Sequence, residues 1–123
     1  MISLAEFDWG SLWQDEAWTI VDRGLDRLKT IQDRHGFEVL IVCFPVRYQV
    51  YADYLEDKPQ RRMGERAGRL GVHYLDLLPR LRERNQAEYF YDHCHPNEAG
   101  HDLIGKLIAD FLLDELLPET PGN

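Results

Sequence analysis

From Trp13 to about His35 the apolar positions fall at Trp13, Ala17, Ile20, Val21, Leu25, Leu28 and Ile31, the spacing of one face of an α-helix. Asp22, Arg23, Asp26, Arg27 and Lys29 lie mostly on the opposite side, and Gly36 marks the stop. Val39 to Phe44 then runs apolar without alternation, which predicts a strand buried on both faces, as in a parallel sheet covered by helices. Pro45 ends it, and Pro45–Tyr51 reads as an aromatic-rich loop or short turn. Pro59 opens a second helix with a narrower stripe of Met63, Ala67 and Leu70, closed by Gly71. Val72–Asp76 is a second, shorter strand, and Leu77, Leu78 and Leu81 suggest a helical turn or two. A last helix over about Glu98 to Leu117 would bury Leu103, Ile104, Leu107, Ile108, Phe111 and Leu112, with a frayed tail from Pro118.

The order helix, strand, helix, strand, helix predicts a layered α/β arrangement in a single domain over 1–123, without repeats or linkers. Between the second strand and the last helix lies Tyr91-Asp92-His93-Cys94-His95-Pro96-Asn97-Glu98-Ala99-Gly100-His101, which gathers the acid Asp92, three histidines and a cysteine ahead of the helix that Glu98 opens. Asp92 and His95 are three apart, so one turn of backbone sets them on one face. A carboxylate there can bind one imidazole nitrogen, fix the tautomer and leave the other nitrogen as a base, the orienter-and-base half of a serine triad. Pro96 stiffens the backbone and Asn97 suits the N-cap of the last helix.

The spelling Asp92-x-x-His95-Pro96-Asn97-x-x-Gly100-His101 resembles the C-terminal block of the SGNH (GDSL-type) esterases and acylhydrolases. The resemblance implies a partial three-layer α/β/α flavodoxin-like fold, with catalytic His95 as base and Asp92 as its orienter. It implies ester hydrolysis, of a small ester or an acylated carbohydrate. No Gly-Asp-Ser block and no Gly-x-Asn-Asp block occurs, so the chain looks like the C-terminal half of such an enzyme. The serines are Ser3 and Ser11. Neither follows Gly-Asp, so the chain alone should be a very poor esterase. Arg47 and Tyr48 follow a strand end, where ligands bind in open α/β sheets, and are the candidate substrate-binding residues.

Composition narrows the alternatives. A formal charge of −8 argues against nucleic acid or an anionic membrane as partner. Arg61, Arg62, Arg66 and Arg69 stand at helical spacing among acids and read as a solvated face. Cys43 and Cys94 give no disulfide framework. No run is long enough for a membrane span. The histidine–cysteine cluster holds zinc-competent residue types, but its crowded spacing matches no Cys-x₂-Cys or His-x₃-His pattern, so no metal and no cofactor is expected. His73, Trp13 and Trp18 read as core, and His101 as a packing or hydrogen-bonding residue. The compartment is open, and cytoplasmic if Met1 is the true start.

Two parallel strands alone make a poor sheet, and the Val39–Phe44 strand would show an apolar edge that invites pairing. Either an N-terminal segment supplies the missing strands or two copies pair. A non-catalytic interaction module using that edge, or a small metal-binding protein, is the alternative to the hydrolase reading. Light scattering is expected to show self-association that a charged residue at Val42 weakens; a stable monomer would count against it.

Overall fold

The computed structural model describes residues 10–52 and 56–117. The chain forms α1 (Asp15–His35), β1 (Leu40–Cys43), α2 (Arg47–Tyr51), α3 (Lys58–Leu70), β2 (His73–Asp76), α4 (Leu78–Arg82) and α5 (Glu98–Phe111). A 3-10 turn over Gly10–Trp13 precedes α1, and a π-turn over Leu112–Leu116 follows α5. β1 and β2 pair as a two-stranded parallel sheet, so the chain is a mixed α/β protein. It divides into two compact units: Met1–Ile41 with Asp57–Tyr74, and Val42–Glu56 with Leu75–Asn123.

In the first unit, α1 packs on α3. Both helices end on a glycine in the left-handed region, Gly36 at φ 70° and Gly71 at φ 66°, where a side chain would be strained. The Gly36 amide returns to the Gln32 carbonyl at 2.7 Å, closing the last turn. Trp18 is 2% exposed and donates its indole N–H to the Leu12 carbonyl at 2.8 Å, which ties the 3-10 turn to α1. Arg62 and Arg66 depart from the solvated face expected of them. Arg62 pairs with Asp15 and Arg66 with Asp22, and the guanidinium of Arg66 lies 4.3 Å from the Trp18 ring centroid. Their partners sit on α1, so the arginines are the polar half of a helix–helix contact, and each such cation–π contact contributes about 0.5–2 kcal/mol.

Two further expectations are corrected here. β1 is half-buried at all four positions, and Phe44 beyond it is 52% exposed, so the apolar run is not buried on both faces. A strand with one neighbour in a two-stranded sheet has too little cover for that. His73 is not a core residue; it is half-buried and meets the Glu38 carboxylate at 3.2 Å.

In the second unit, the stretch expected as a loop or short turn after Pro45 contains the one-and-a-half-turn helix α2, which packs on α4. Gln49 explains how so short a helix holds. Its side chain is buried, yet its amide oxygen takes the Val46 N–H at 3.1 Å and its amide nitrogen donates to the Glu56 carbonyl at 3.1 Å. Arg82 Nε donates to the Gln49 carbonyl at 2.7 Å, linking α4 to α2. Val50, Leu75, Leu77, Leu78, Leu81, Phe90, Ile104 and Leu107 are the buried apolar residues of this unit among those described. The last helix keeps its expected span, α-helical from Glu98 to Phe111 and π-helical over Leu112–Leu116. The expected tail from Pro118 lies outside the described residues.

The start of α5 is fixed by a close approach. Asn97 caps it, its side-chain oxygen accepting the Gly100 N–H at 2.9 Å. A Cβ on Gly100 would stand 2.2 Å from the Tyr89 carbonyl oxygen and 3.1 Å from Pro96 Cβ. On the same helix, a Cβ on Gly105 would meet nothing within 4 Å. Gly105→Ala is expected to stabilise by about 0.5–1 kcal/mol through helix propensity and a less flexible unfolded chain. Gly100→Ala should destabilise by roughly 1–3 kcal/mol because the obstacle is backbone. Urea unfolding of both variants checks this, and a Gly100→Ala protein as stable as wild type would refute the close approach.

Candidate active site

The site is built on the turn from Glu88 to Asn97 in the second unit. An isolated antiparallel bridge joins Phe90 to Pro96. Around it the Tyr91 N–H reaches the His95 carbonyl at 2.8 Å, and the Asn97 N–H reaches the Tyr89 carbonyl at 2.9 Å. Residues 91–94 are the bends enclosed by this bridge.

Asp92 organises those bends from within. Its Oδ1 accepts the Cys94 N–H at 2.9 Å and the His95 N–H at 2.8 Å, an Asx-type turn. Its Oδ2 stands 2.7 Å from His95 Nδ1. The two backbone amides and the imidazole hold the Asp92 carboxyl well below the usual carboxylate range, the Cys94 amide contributing most. A carboxylate only accepts hydrogen bonds, so Nδ1 carries a proton and, in the neutral ring, Nε2 carries the lone pair. The His95 side chain is 73% exposed, which leaves Nε2 open to a reacting group. The sequence thus places Asp92 and His95 together, though on a bend rather than a helical turn.

Cys94 sits beside the pair, its Sγ 3.5 Å from His95 Nδ1. Burial, then the nearby Asp92 charge, push its thiol up, the reverse of what an activated nucleophile needs. His93 has its ring centroid 6.5 Å from that of His95. His101 is exposed on α5, so the packing half of its expected packing or hydrogen-bonding role is not met. Among the described residues, Asp92, Cys94 and His95 are a group whose ligand-type atoms all lie within 4.8 Å of one another.

Arg47 and Tyr48 lie at the start of α2. The Arg47 N–H donates to the His93 carbonyl at 2.8 Å, so α2 begins against the back of the turn. The Arg47 side chain is engaged by Glu88, Nη2 to Oε2 at 2.8 Å and Nε to Oε1 at 3.4 Å. Arg47 holds the Glu88 carboxyl down, and Glu88 raises the Arg47 guanidinium in return. Tyr48 is half-buried.

Sequence reasoning passed over Tyr51 and Glu88. The Tyr51 hydroxyl donates to the Ala87 carbonyl at 2.7 Å and accepts the Tyr89 N–H at 2.9 Å, and its ring meets Phe90 edge-on at 6.2 Å. Burial pushes its phenol up. Glu88 repeats the Asp92 device four residues earlier, with Oε1 accepting the Phe90 N–H at 3.2 Å. Neither had a sequence signal beyond an acid two residues ahead of the amide it binds. Ser11 is exposed in the 3-10 turn of the first unit, Ser3 lies outside the described residues, and the second unit contains no serine.

No protein-family model, no curated protein and no solved structure matches this chain.

The Asp92 contacts have a pH signature. Its folded-state pKa is depressed from 3.8, so the stabilisation is fully present above that value and is lost as pH falls through the lower folded value. Asp92→Asn keeps an oxygen for the two amides but no charge. The stability difference between wild type and Asp92→Asn should therefore shrink steadily on acidification below about pH 5. Thermal unfolding across that range tests it, and parallel pH profiles would count against the assignment.

Proposed function

We propose that this chain carries the base-and-orienter half of a serine-type ester hydrolase, with His95 as the base and Asp92 as its orienter. One observation carries the reading: the 2.7 Å contact between Asp92 Oδ2 and His95 Nδ1, with Oδ1 of the same carboxylate fixed by two backbone amides. The resemblance of the Asp92–His101 block to the SGNH esterases supports it, as does the order β1, α3, β2, α5, which suits the last strands of a flavodoxin-like sheet.

In this reading, Nε2 of His95 takes the proton of a hydroxyl as its oxygen attacks the ester carbonyl. The imidazolium that forms is stabilised by Asp92, and Nε2 then returns the proton to the leaving alkoxide. With no serine in its own unit, His95 needs a serine hydroxyl from outside it. Arg47 and Tyr48 flank the turn and are the proposed substrate contacts, Tyr48 by its ring and Arg47 where its bond to Glu88 opens. The substrate is an ester of small size or an acylated carbohydrate.

Without a bound serine the same imidazole should still act slowly on water. Turnover of p-nitrophenyl acetate by the chain is expected to be weak, lost in His95→Ala, and lowered roughly tenfold or more in Asp92→Asn, where the tautomer is no longer imposed. His101→Ala should leave it unchanged, and loss in Ser11→Ala would bring Ser11 in as the nucleophile. A rate indifferent to both His95→Ala and Asp92→Asn would end the proposal.

A further inference from the structure

We propose that Asp92 Oδ2, Cys94 Sγ and His95 Nδ1 form a binding site for a soft divalent metal ion of the zinc type, whose occupancy turns the His95 base off by reversing its tautomer. The binding half stands on geometry alone; the switching half rests on the function proposed above.

The three residues fall within four consecutive positions, and one ligand-type atom from each lies within 4.8 Å of the other two. Around tetrahedral zinc, with Zn–N and Zn–O near 2.1 Å and Zn–S near 2.3 Å, adjacent N and S ligands stand about 3.6 Å apart and adjacent N and O about 3.4 Å. Sγ and Nδ1 are already 3.5 Å apart. Nδ1 and Oδ2 are 2.7 Å apart because a proton joins them. An ion in place of that proton would open the gap by about 0.7 Å. The exposed His95 ring can swing by that much, while Oδ1 stays on the two amides and keeps the carboxylate in place. A fourth position is left for water. A thiolate, an imidazole and one carboxylate suit zinc, cobalt or cadmium, whereas magnesium and calcium demand oxygen ligands.

The proton balance makes this a switch. In the free site Nδ1 bears the hydrogen and Nε2 the lone pair. Coordination uses the Nδ1 lone pair, so that hydrogen moves through solvent to Nε2. The Cys94 thiol gives its proton to the buffer and binds as thiolate. The ion, the thiolate and the Asp92 carboxylate then sum to zero charge, with one proton released per ion. An Nε2 that carries hydrogen can donate but cannot accept, so His95 no longer serves as a base. A chelator restores it.

Calorimetric titration with zinc in buffers of differing ionisation heat should give one ion per chain and about one proton released per ion. Cobalt should produce a thiolate-to-metal absorption band. Cys94→Ser and His95→Gln should each weaken binding by about tenfold or more, and Cys94→Ser should abolish the band. His73→Ala, which removes a histidine–carboxylate contact with Glu38 away from this turn, should change nothing. Nitrogen NMR of the His95 ring should move from the Nδ1–H to the Nε2–H form on zinc addition. Undiminished affinity in Cys94→Ser and His95→Gln, or no saturable binding at all, would overturn the site. Binding that needs both residues but leaves the tautomer unchanged would overturn the switch. Since these readouts do not involve an ester, absence of hydrolysis would refute the proposed activity and leave the metal site standing.

Discussion

The Asp92 carboxylate is the constraint from which the rest of the candidate site follows. One oxygen is committed to two successive backbone amides and the other to an imidazole, so a single charged group sets both the path of the chain and the tautomer of His95. A neutral side chain of the same size could hold the bend through its oxygen. Only a group that cannot donate dictates which imidazole nitrogen carries the proton. The bend and the chemistry are thus coupled through one residue, and the direction of the Asp92 pKa shift reports that coupling.

The bend in turn depends on what stands behind it. Tyr51 takes a backbone amide and gives to a backbone carbonyl on either side of Glu88, and Glu88 is itself fixed by Arg47 and by the Phe90 amide. Asn97 bonds backward to the Glu88 carbonyl at 2.8 Å as well as forward to Gly100. These contacts clamp both ends of the Glu88–Asn97 turn to helices of the same unit, α2 at one end and α5 at the other. The close approach of Gly100 to the Tyr89 carbonyl shows how little slack remains at the α5 end.

Much of this was legible in the sequence, and the failures have physical reasons. Glycine stops at Gly36 and Gly71, the Asn97 cap and the Asp92–His95 pairing are all local in the chain, where spacing alone decides geometry. The α2 helix was not legible, because five residues are too few to display a period and Gln49 holds it through contacts beyond the helix. Arg62 and Arg66 looked solvated because their partners lie 47 and 44 residues away on α1. Tyr51 gave no sign for the same reason, its partners being 36 and 38 residues on. His73 was misjudged because strand alternation says which face a residue takes, not whether anything covers that face.

The exposure of the pair bears on what it is for. A carboxylate–imidazole contact whose members are 73% and 44% exposed is well solvated, and such contacts contribute little to folding. The two amide bonds to Oδ1 would hold the turn whatever side chain stood at position 95. Stability therefore asks for the carboxylate and not for the imidazole, and burial does not ask for the imidazole either. What the ring gains from its place is an imposed tautomer and an open Nε2, two properties that matter for moving a proton and hardly at all for packing. A histidine serving only to close a loop would need neither.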